Sequence, residues 1–400
     1  MNEVKKQGYL FALFYLIIFG ALGGMYPYIN AYLQSNQGFT GAQIGTYTFC
    51  TLMIAMFIVP IWGILGDKTR KYRLLLLISL GASVVAAFAY SLATGYMMVM
   101  ITGIILEVVR SGTIPLSDVQ AVNFTTKNNG NYGTIRSMGS LGYVLGSVLV
   151  GLVVGKGDYS KMFIIYIALL LLAFAIAFTF PNEKIEKEEK KEKEPNQKGG
   201  FFSVITNKNF IFLCLIALMT TVLMESVNGY AAIHMLNKLN GPNNSPTLFT
   251  IATALPEILL LGAIGALLNK TGYKKIFLFN AIILVVRYIL YAFSPNIYVF
   301  LAASLVHCVG TAIHTVGNLG YLRNAIPENN YGTAVTLYNS VVSIGRAVYG
   351  LVFGYVMDWF GTSVIFLAAA IIMAGGTFII SRTHYFDEVD HNLKMRRKEG

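Results

Sequence analysis

The chain alternates between long apolar stretches and short polar connections. Each apolar stretch has about twenty residues, the length at which a helix crosses a hydrocarbon core of about 30 Å. Several begin or end beside a Lys, Arg or Gly-Asn cluster, so that polar residues separate them. The pattern predicts twelve membrane-spanning helices, at 9–33, 43–65, 74–93, 96–121, 136–155, 161–180, 209–233, 246–268, 275–294, 297–320, 333–357 and 362–381.

Composition supports a membrane protein over a soluble one. Hydrophobic residues make up 55% of the chain and charged residues only 12%, against about 25% charged residues in soluble domains. The net charge of +11 does not indicate a nucleic-acid partner, because the basic residues lie in the connections between spans. That is where the positive-inside rule places them, and it predicts that both termini are cytoplasmic.

One short motif occurs twice, half a chain apart. Asn-Tyr-Gly-Thr stands at 131–134 and again at 330–333, each time before an apolar run that contains Gly and Ser. "LGDKTRKYR" after the second span is likewise echoed by "LNKTGYKK" after the eighth. These repeats predict two six-helix bundles related by an axis along the membrane normal, the arrangement of alternating-access transporters. The predicted parts are bundles 1–181 and 205–382, a charged linker 182–204 and a tail 383–400.

Ionisable residues within the predicted spans are candidates for function, because a charge in a bilayer is costly unless it is paired or faces a wet cavity. They could form structural ion pairs, or they could bind a solute and a proton. Glu107 and Arg110 stand three residues apart on one helix, which favours a structural pair. The full set is Glu107, Asp118, Glu225 and Glu257, with Arg110, Arg136, Arg287, Arg346, His307 and His314.

The sequence contains no pattern typical of an enzyme, a metal centre or a cofactor site. It has no Walker loop, no G-x-S-x-G and no H-E-x-x-H. His307 and His314 lack a third ligand at matching spacing. Glycines at 20–24 and at 139, 142 and 146 have the spacing of helix-packing residues. We therefore expect neither enzymatic activity nor a cofactor.

The loop after the second span resembles the loop motif of the major facilitator superfamily. The matching residues are Gly63, Asp67, Lys68 and Lys71. Arg70 stands where that motif usually has a glycine. The resemblance implies the two-bundle fold of that superfamily.

A second resemblance is to the oligosaccharide/proton symporters of the lactose permease group and to the neighbouring phenylpropionate permease branch. It rests first on "TIPLSDVQ" followed by "YGTIRSMGSLGY". In the group, the acid and the arginine of this signature bind sugar hydroxyls, and an aromatic ring stacks on the sugar. The resemblance implies these roles for Asp118, Arg136 and Tyr143. The second copy of the motif has Val335 in place of the arginine.

The C-terminal half carries the same resemblance. "AIILVVRYI" and "SLVHCVG" place Arg287 and His307 on the group's ninth- and tenth-span residues, and Glu225 matches an acid that pairs with an eleventh-span base, near Arg346. Glu257 lies one turn after the group's eighth-span acid, as in the phenylpropionate branch. The position of the group's proton-carrying carboxylate is Gly310 here.

These observations predict a secondary transporter that imports a small organic solute, such as a sugar or oligosaccharide, together with protons. Glu257 and His307 would join Asp118 and Arg136 in binding the solute, and Glu257, Arg287 and His307 would couple the proton. Two alternatives stay open: symport of an aromatic or other carboxylate, for which an arginine is a natural partner, and efflux of amphipathic compounds by antiport. We expect a monomer in the cell membrane of a bacterium.

Overall fold

The computed structural model describes residues 3–155, 157–181, 201–327, 330–387 and 389–390, and only the backbone of 258–266, 268 and 269. Within these ranges all regular structure is helical. Twelve long helical segments coincide with the twelve predicted spans. They are α1 (Glu3–Ser35), α2 (Gly41–Thr69), α3 (Tyr72–Leu92), α4 (Tyr96–Lys127), α5 (Tyr132–Val153), α6 (Tyr159–Ala177), α7 (Lys208–Asn237), α8 (Ser245–Thr271), α9 (Tyr273–Phe293), α10 (Ile297–Ala325), α11 (Tyr331–Phe360) and α12 (Thr362–Arg382).

The predicted all-α membrane architecture is confirmed. Among the described residues, 11 helices are long and apolar enough to cross a bilayer; α8 is the remaining segment, and part of its side chains lie outside the description. Large apolar side chains are exposed on the outer faces, with Leu152 at 77% and Ile164 at 67% exposure. Such surfaces are stable against lipid chains and would be unstable in water.

Three of the long segments have local irregularities. Helix α4 is interrupted at Ser111 and Gly112, between Tyr96–Arg110 and Thr113–Lys127. Single π-helical turns occur in α7 at Leu218–Val222 and in α10 at His314–Asn318. A π turn inserts a residue and re-aims the side chains after it, and such turns are frequent at functional sites.

Two compact units divide the chain. The first comprises Met1–Lys191 and Pro242–Thr250, and the second comprises Glu192–Gly241 and Ile251–Gly400. The beginning of α8 therefore belongs to the first unit, whereas the predicted boundaries assign it to the C-terminal bundle. There the Thr247 hydroxyl donates to the carbonyl of Ser147 at 2.6 Å and is bonded to the Tyr28 hydroxyl. The predicted linker 182–204 lies outside the described residues up to residue 200, and a short helix, Phe201–Ile205, follows.

Glycines allow the backbones of α1 and α5 to touch. A Cβ added at Gly146 would lie 1.8 Å from the carbonyl oxygen of Gly20, and one added at Gly23 would lie 1.9 Å from that of Tyr143. A Cβ at Gly142 would lie 2.0 Å from the Leu16 carbonyl oxygen. Only residues without a side chain permit this approach, as the spacing of these glycines predicts.

The repeated Asn-Tyr-Gly-Thr motif begins a helix in each unit. Tyr132 is the first residue of α5, and Tyr331 is the first residue of α11. In the first copy the Asn131 side chain accepts a hydrogen bond of 2.8 Å from the Gly133 amide and so caps the helix. The motif thus marks equivalent helix starts in the two halves of the duplication.

Candidate functional site

In the first unit, two tyrosines hold the carboxylate of Asp118. The Tyr132 hydroxyl donates to Asp118 Oδ1 at 2.8 Å, and the Tyr15 hydroxyl donates to the same oxygen. The two rings meet edge to face, with centroids 6.3 Å apart. No described residue donates a hydrogen bond to the other oxygen, Oδ2, and Asp118 is half-buried. The site therefore presents an oriented carboxylate with one acceptor oxygen available to a bound molecule.

Arg136 lies against an aromatic ring rather than against Asp118. Its guanidinium stands over the ring of Phe19, 4.2 Å from the centroid, and Phe19 in turn stacks with Tyr15. Within the described ranges Arg136 forms no ion pair. The backbone of Tyr143, the third residue of this predicted set, lies against Gly23, and its side chain is half-buried. Arg136 and Asp118 are thus linked through the rings of Phe19 and Tyr15 and do not form an ion pair with each other.

Glu107 and Arg110 are brought together by the first part of α4. Arg110 donates to both carboxylate oxygens, at 2.6 and 2.5 Å, and its guanidinium lies 5.1 Å from the centroid of the Tyr26 ring. The two side chains are only 14% and 15% exposed. A single nitrogen, Nη2, makes both contacts, and the pair is strengthened because both are charge-assisted.

In the second unit, Arg287 is the centre of a polar cluster. Its Nε and Nη2 donate to the Tyr291 hydroxyl at 3.0 and 2.7 Å, and Nη2 also donates to Asn228 Oδ1 at 3.1 Å. Nη1 lies 3.1 Å from Nδ1 of His307. Arg287 is 1% exposed, and within the described part of the chain it forms no ion pair. A buried cation that has only neutral partners is costly, which favours binding of an anion nearby.

The Arg287 contact fixes the state of His307. A guanidinium can only donate, so Nδ1 of His307 must accept, and the ring proton must be on Nε2. The amide nitrogen of Asn228, 3.5 Å from Nε2, then faces a donor and forms no real hydrogen bond. His307 is therefore a neutral ring whose Nε2–H can donate to a bound molecule.

The remaining acids of the second unit differ in their partners. Arg346 Nη1 lies 2.9 Å from Glu225 Oε2, with side-chain exposures of 41% and 36%. Glu257 forms no ion pair with any residue that is described. Glu257 is thus the acid without a committed cation.

Gly310, which has no side chain, stands where the resemblance would place the proton-carrying carboxylate, and neighbouring side chains lie close to it. A Cβ there would lie 2.7 Å from Met224 Sδ and 3.4 Å from Asn280 Oδ1. The space is filled by these two side chains, which come from α7 and α9. Any coupling in this chain must therefore use another group.

A side-chain hydrogen bond spans the loop motif between α2 and α3. Tyr72 donates to Asp67 Oδ1 at 2.6 Å. Arg70 has φ +58° and ψ +13°, the left-handed conformation that glycine adopts most easily. Gly63 has open space around it, and Lys71 is the residue that immediately precedes α3. Lys68 lies in the last turn of α2.

The sequence is similar to transporters along its whole length. The model of the MFS_1 like family matches residues 9–368. The chain belongs to the MFS_1-like family. It is 28% identical to the maltose permease of Geobacillus stearothermophilus, over 93% of each chain, and 24% identical to the uncharacterized transporter YwbF of Bacillus subtilis, over 94% of each. A mutant form of the nucleoside transporter NupG has the same fold, with a TM-score of 0.85, 15% identity, and coverage of 94% of this chain and 99% of that one.

Membership of the family makes this chain a multi-span membrane transporter for a small solute. Several residues of the two clusters were not predicted from the sequence. They are Tyr15, Phe19, Tyr132, Asn228 and Tyr291. Tyr132 belongs to the repeated motif and Tyr291 follows Arg287 by one turn, so spacing could have indicated these two. The contacts of Tyr15 and Asn228 join separate helices, and no spacing reveals them.

Proposed function

We propose that the chain imports a sugar or small oligosaccharide together with protons, by alternating access in the cell membrane of a bacterium, with both termini cytoplasmic. The observation that carries the proposal is Oδ2 of Asp118, to which no described residue donates a hydrogen bond, in an aromatic surrounding. A carboxylate oxygen accepts hydrogen bonds from sugar hydroxyls, and aromatic rings pack on the apolar face of a sugar. The similarity to a maltose permease over nearly the whole chain supports this solute class.

The two tyrosines orient the site before the solute binds. Because both hydroxyls bond to Oδ1, the carboxylate cannot rotate freely, and its second oxygen keeps one direction. Arg136, over Phe19, supplies further donors that no described carboxylate occupies. Preorganised groups lose little conformational freedom on binding. Tyr143 is the ring that we assign to stacking on the sugar.

The proton would be carried by Glu257. A carboxyl that no cation holds in its charged form can take up and release a proton during the cycle. The buried Arg287, which lacks an anionic partner in the described residues, is the natural group to attract Glu257 in one state. His307, held neutral by Arg287, supplies a hydrogen-bond donor to the solute.

A second candidate is symport of a carboxylate. The cations Arg136 and Arg287 both lack an ion pair in the part of the chain that is described, and a solute carboxylate would complete a bidentate pair with either of them. In that case Asp118 would repel the solute instead of binding it. The two candidates therefore predict opposite effects of removing the Asp118 charge.

Counterflow in proteoliposomes distinguishes these candidates. Vesicles loaded with maltose, or with an aromatic carboxylate, are diluted into the labelled solute, and exchange is measured for the wild type and for Asp118→Asn. For a sugar site, Asp118→Asn should weaken apparent affinity about tenfold or more, because a charge-assisted bond contributes about 1.5–3 kcal/mol. The control is Asp158→Asn, an exposed carboxylate of the same unit.

Equal exchange by both variants would refute the assignment of Asp118. Faster exchange of the carboxylate by Asp118→Asn would favour the second candidate. To test the proton carrier, we expect Glu257→Gln to retain counterflow and to lose accumulation driven by a pH gradient. Glu225→Gln is the control, and it should retain both activities when each rate is divided by the amount of folded protein. Accumulation by Glu257→Gln against a gradient would contradict its role as the carrier.

A further inference from the structure

A basic cavity lies in the first unit, at the end of the helices where α1 begins, and its lining does not include Asp118. We call it the basic well. It has a volume of about 1110 Å³ and lies between the start of α1, the loop before α3, the end of α4 and the residues after α6. Five cations and one acid, Glu3, line it. The cations are Lys6, Arg70, Lys71, Arg73 and Lys127.

Two buried polar atoms in the basic well lack a partner among the described residues. Gln120 is 7% exposed; its amide nitrogen donates to the Leu116 carbonyl at 3.1 Å, but its Oε1 accepts no bond. Arg73 donates through Nη2 to the Phe178 carbonyl, while its buried Nε–H has no acceptor. Buried donors and acceptors are nearly always bonded, so each indicates a missing partner.

The hydrogen bond from Arg73 to the end of α6 does not explain why several cations line the same cavity. Capping the end of α6 requires one guanidinium nitrogen, whereas Lys6 and Lys71 come from other elements and surround the same space. Like charges that line one concave, low-dielectric surface repel each other and concentrate anions from solution. Apolar residues also line the basic well, among them Leu10, Phe11 and Leu77.

We infer that the basic well binds a phosphate group. A phosphate offers several acceptor oxygens to the Arg73 Nε–H and the lysines, and a hydroxyl next to the phosphate can donate to Gln120 Oε1. Anionic phospholipid headgroups such as phosphatidylglycerol and soluble phosphate esters both have this chemistry. Asp118, Arg136 and Tyr143 are not among the residues that line the basic well, and the inference does not depend on which solute is carried.

The test measures the unfolding midpoint of the full-length protein. One arm titrates inorganic phosphate at constant ionic strength in neutral detergent, and the other compares nanodiscs of phosphatidylcholine with and without phosphatidylglycerol. Ligand binding to the folded state raises the midpoint by mass action. The well variant is Lys6→Gln/Arg73→Gln, and Lys270→Gln/Lys275→Gln removes two exposed charges elsewhere. Lys6→Gln/Lys71→Gln serves if loss of Arg73 prevents folding.

The wild type and the Lys270/Lys275 variant should be stabilised, and the well variant should need at least about tenfold more ligand. A shift with phosphatidylglycerol alone identifies a lipid headgroup, and a shift with phosphate identifies a soluble anion. Equal shifts in all three proteins, or no shift in any, would overturn the inference.

Discussion

The duplicated halves join equivalent helices in different ways. In the first unit, α1 and α5 touch backbone to backbone, with Gly20 and Gly23 facing Gly146 and its neighbours. The positions 199 residues after Gly20 and Gly23 are Met219 and Val222. In the second unit the nearest atoms to a Cβ on Gly345, the counterpart of Gly146, would be side-chain atoms of Leu218, at 2.6 Å, and Val222, at 2.9 Å. The duplication has kept the helix start and lost the close approach.

The difference shows what each helix pair can accommodate. A backbone contact is rigid, because neither carbonyl can move without moving its helix. A side-chain contact can yield by rotamer changes, and α7 carries a π turn at this place. An ion pair, Glu225 with Arg346, also joins α7 to α11 in the second unit. The first unit is therefore the more rigid half at this contact, and the second the more adjustable one.

The largest expected effect comes from adding one methyl group at the equivalent glycines. Gly146→Ala places a Cβ against the Gly20 carbonyl and must push α1 and α5 apart, at a cost of about 3 kcal/mol. Gly345→Ala displaces side-chain atoms of Leu218 and Val222 but no backbone atom among its nearest contacts, and should cost about 1 kcal/mol. Thermal unfolding in detergent measures both. Similar losses from the two changes would show that the close approach is not the feature that stabilises the first unit.

The next largest effect separates the two ion pairs. Double-mutant cycles with Glu107→Gln and Arg110→Gln should give a coupling free energy of about 2 kcal/mol, because that pair is charge-assisted and mostly buried. The cycle with Glu225→Gln and Arg346→Gln should give less than about 1 kcal/mol, because both side chains are more than a third exposed. Strict additivity in the first cycle would contradict a structural role for Glu107 and Arg110.

The smallest effect concerns the repeated loop. Arg70 and Gly272 occupy matching places in "KTRKYR" and "KTGYKK", and both have positive φ, +58° and +87°. Gly272→Ala should cost about 1–2 kcal/mol, since its Cβ would also lie 2.8 Å from an Asp390 carboxylate oxygen. Arg70→Gly should change stability by less than about 1 kcal/mol, because glycine relieves the strain but loses more chain entropy on folding.

Both loop variants can be measured by the same unfolding experiment as the helix glycines. If Gly272→Ala is neutral while Arg70→Gly is strongly destabilising, the side chain of Arg70 matters more than its backbone conformation. The first loop would then be stabilised by a side chain and the second would not.

The sequence by itself determined the membrane architecture, the twelve helices and the family. Those properties follow from apolar length, from loop charge and from repeats, each of which is local along the chain. Spacing on a single helix likewise predicted that Glu107 and Arg110 can meet. The resemblance indicated Asp118, Arg287 and His307, but not which of their atoms are available to a solute.

Only the tertiary structure decided how the polar groups are distributed. Tyr15 reaches Asp118 from a helix more than a hundred residues away, and Arg287 meets Asn228 and His307 instead of a carboxylate. Cations gathered from four separate elements form the basic well. Such contacts depend on how helices pack, which is set by the summed shape of many side chains. No local pattern encodes that sum, so the partners of each intramembrane charge had to be read from the folded chain.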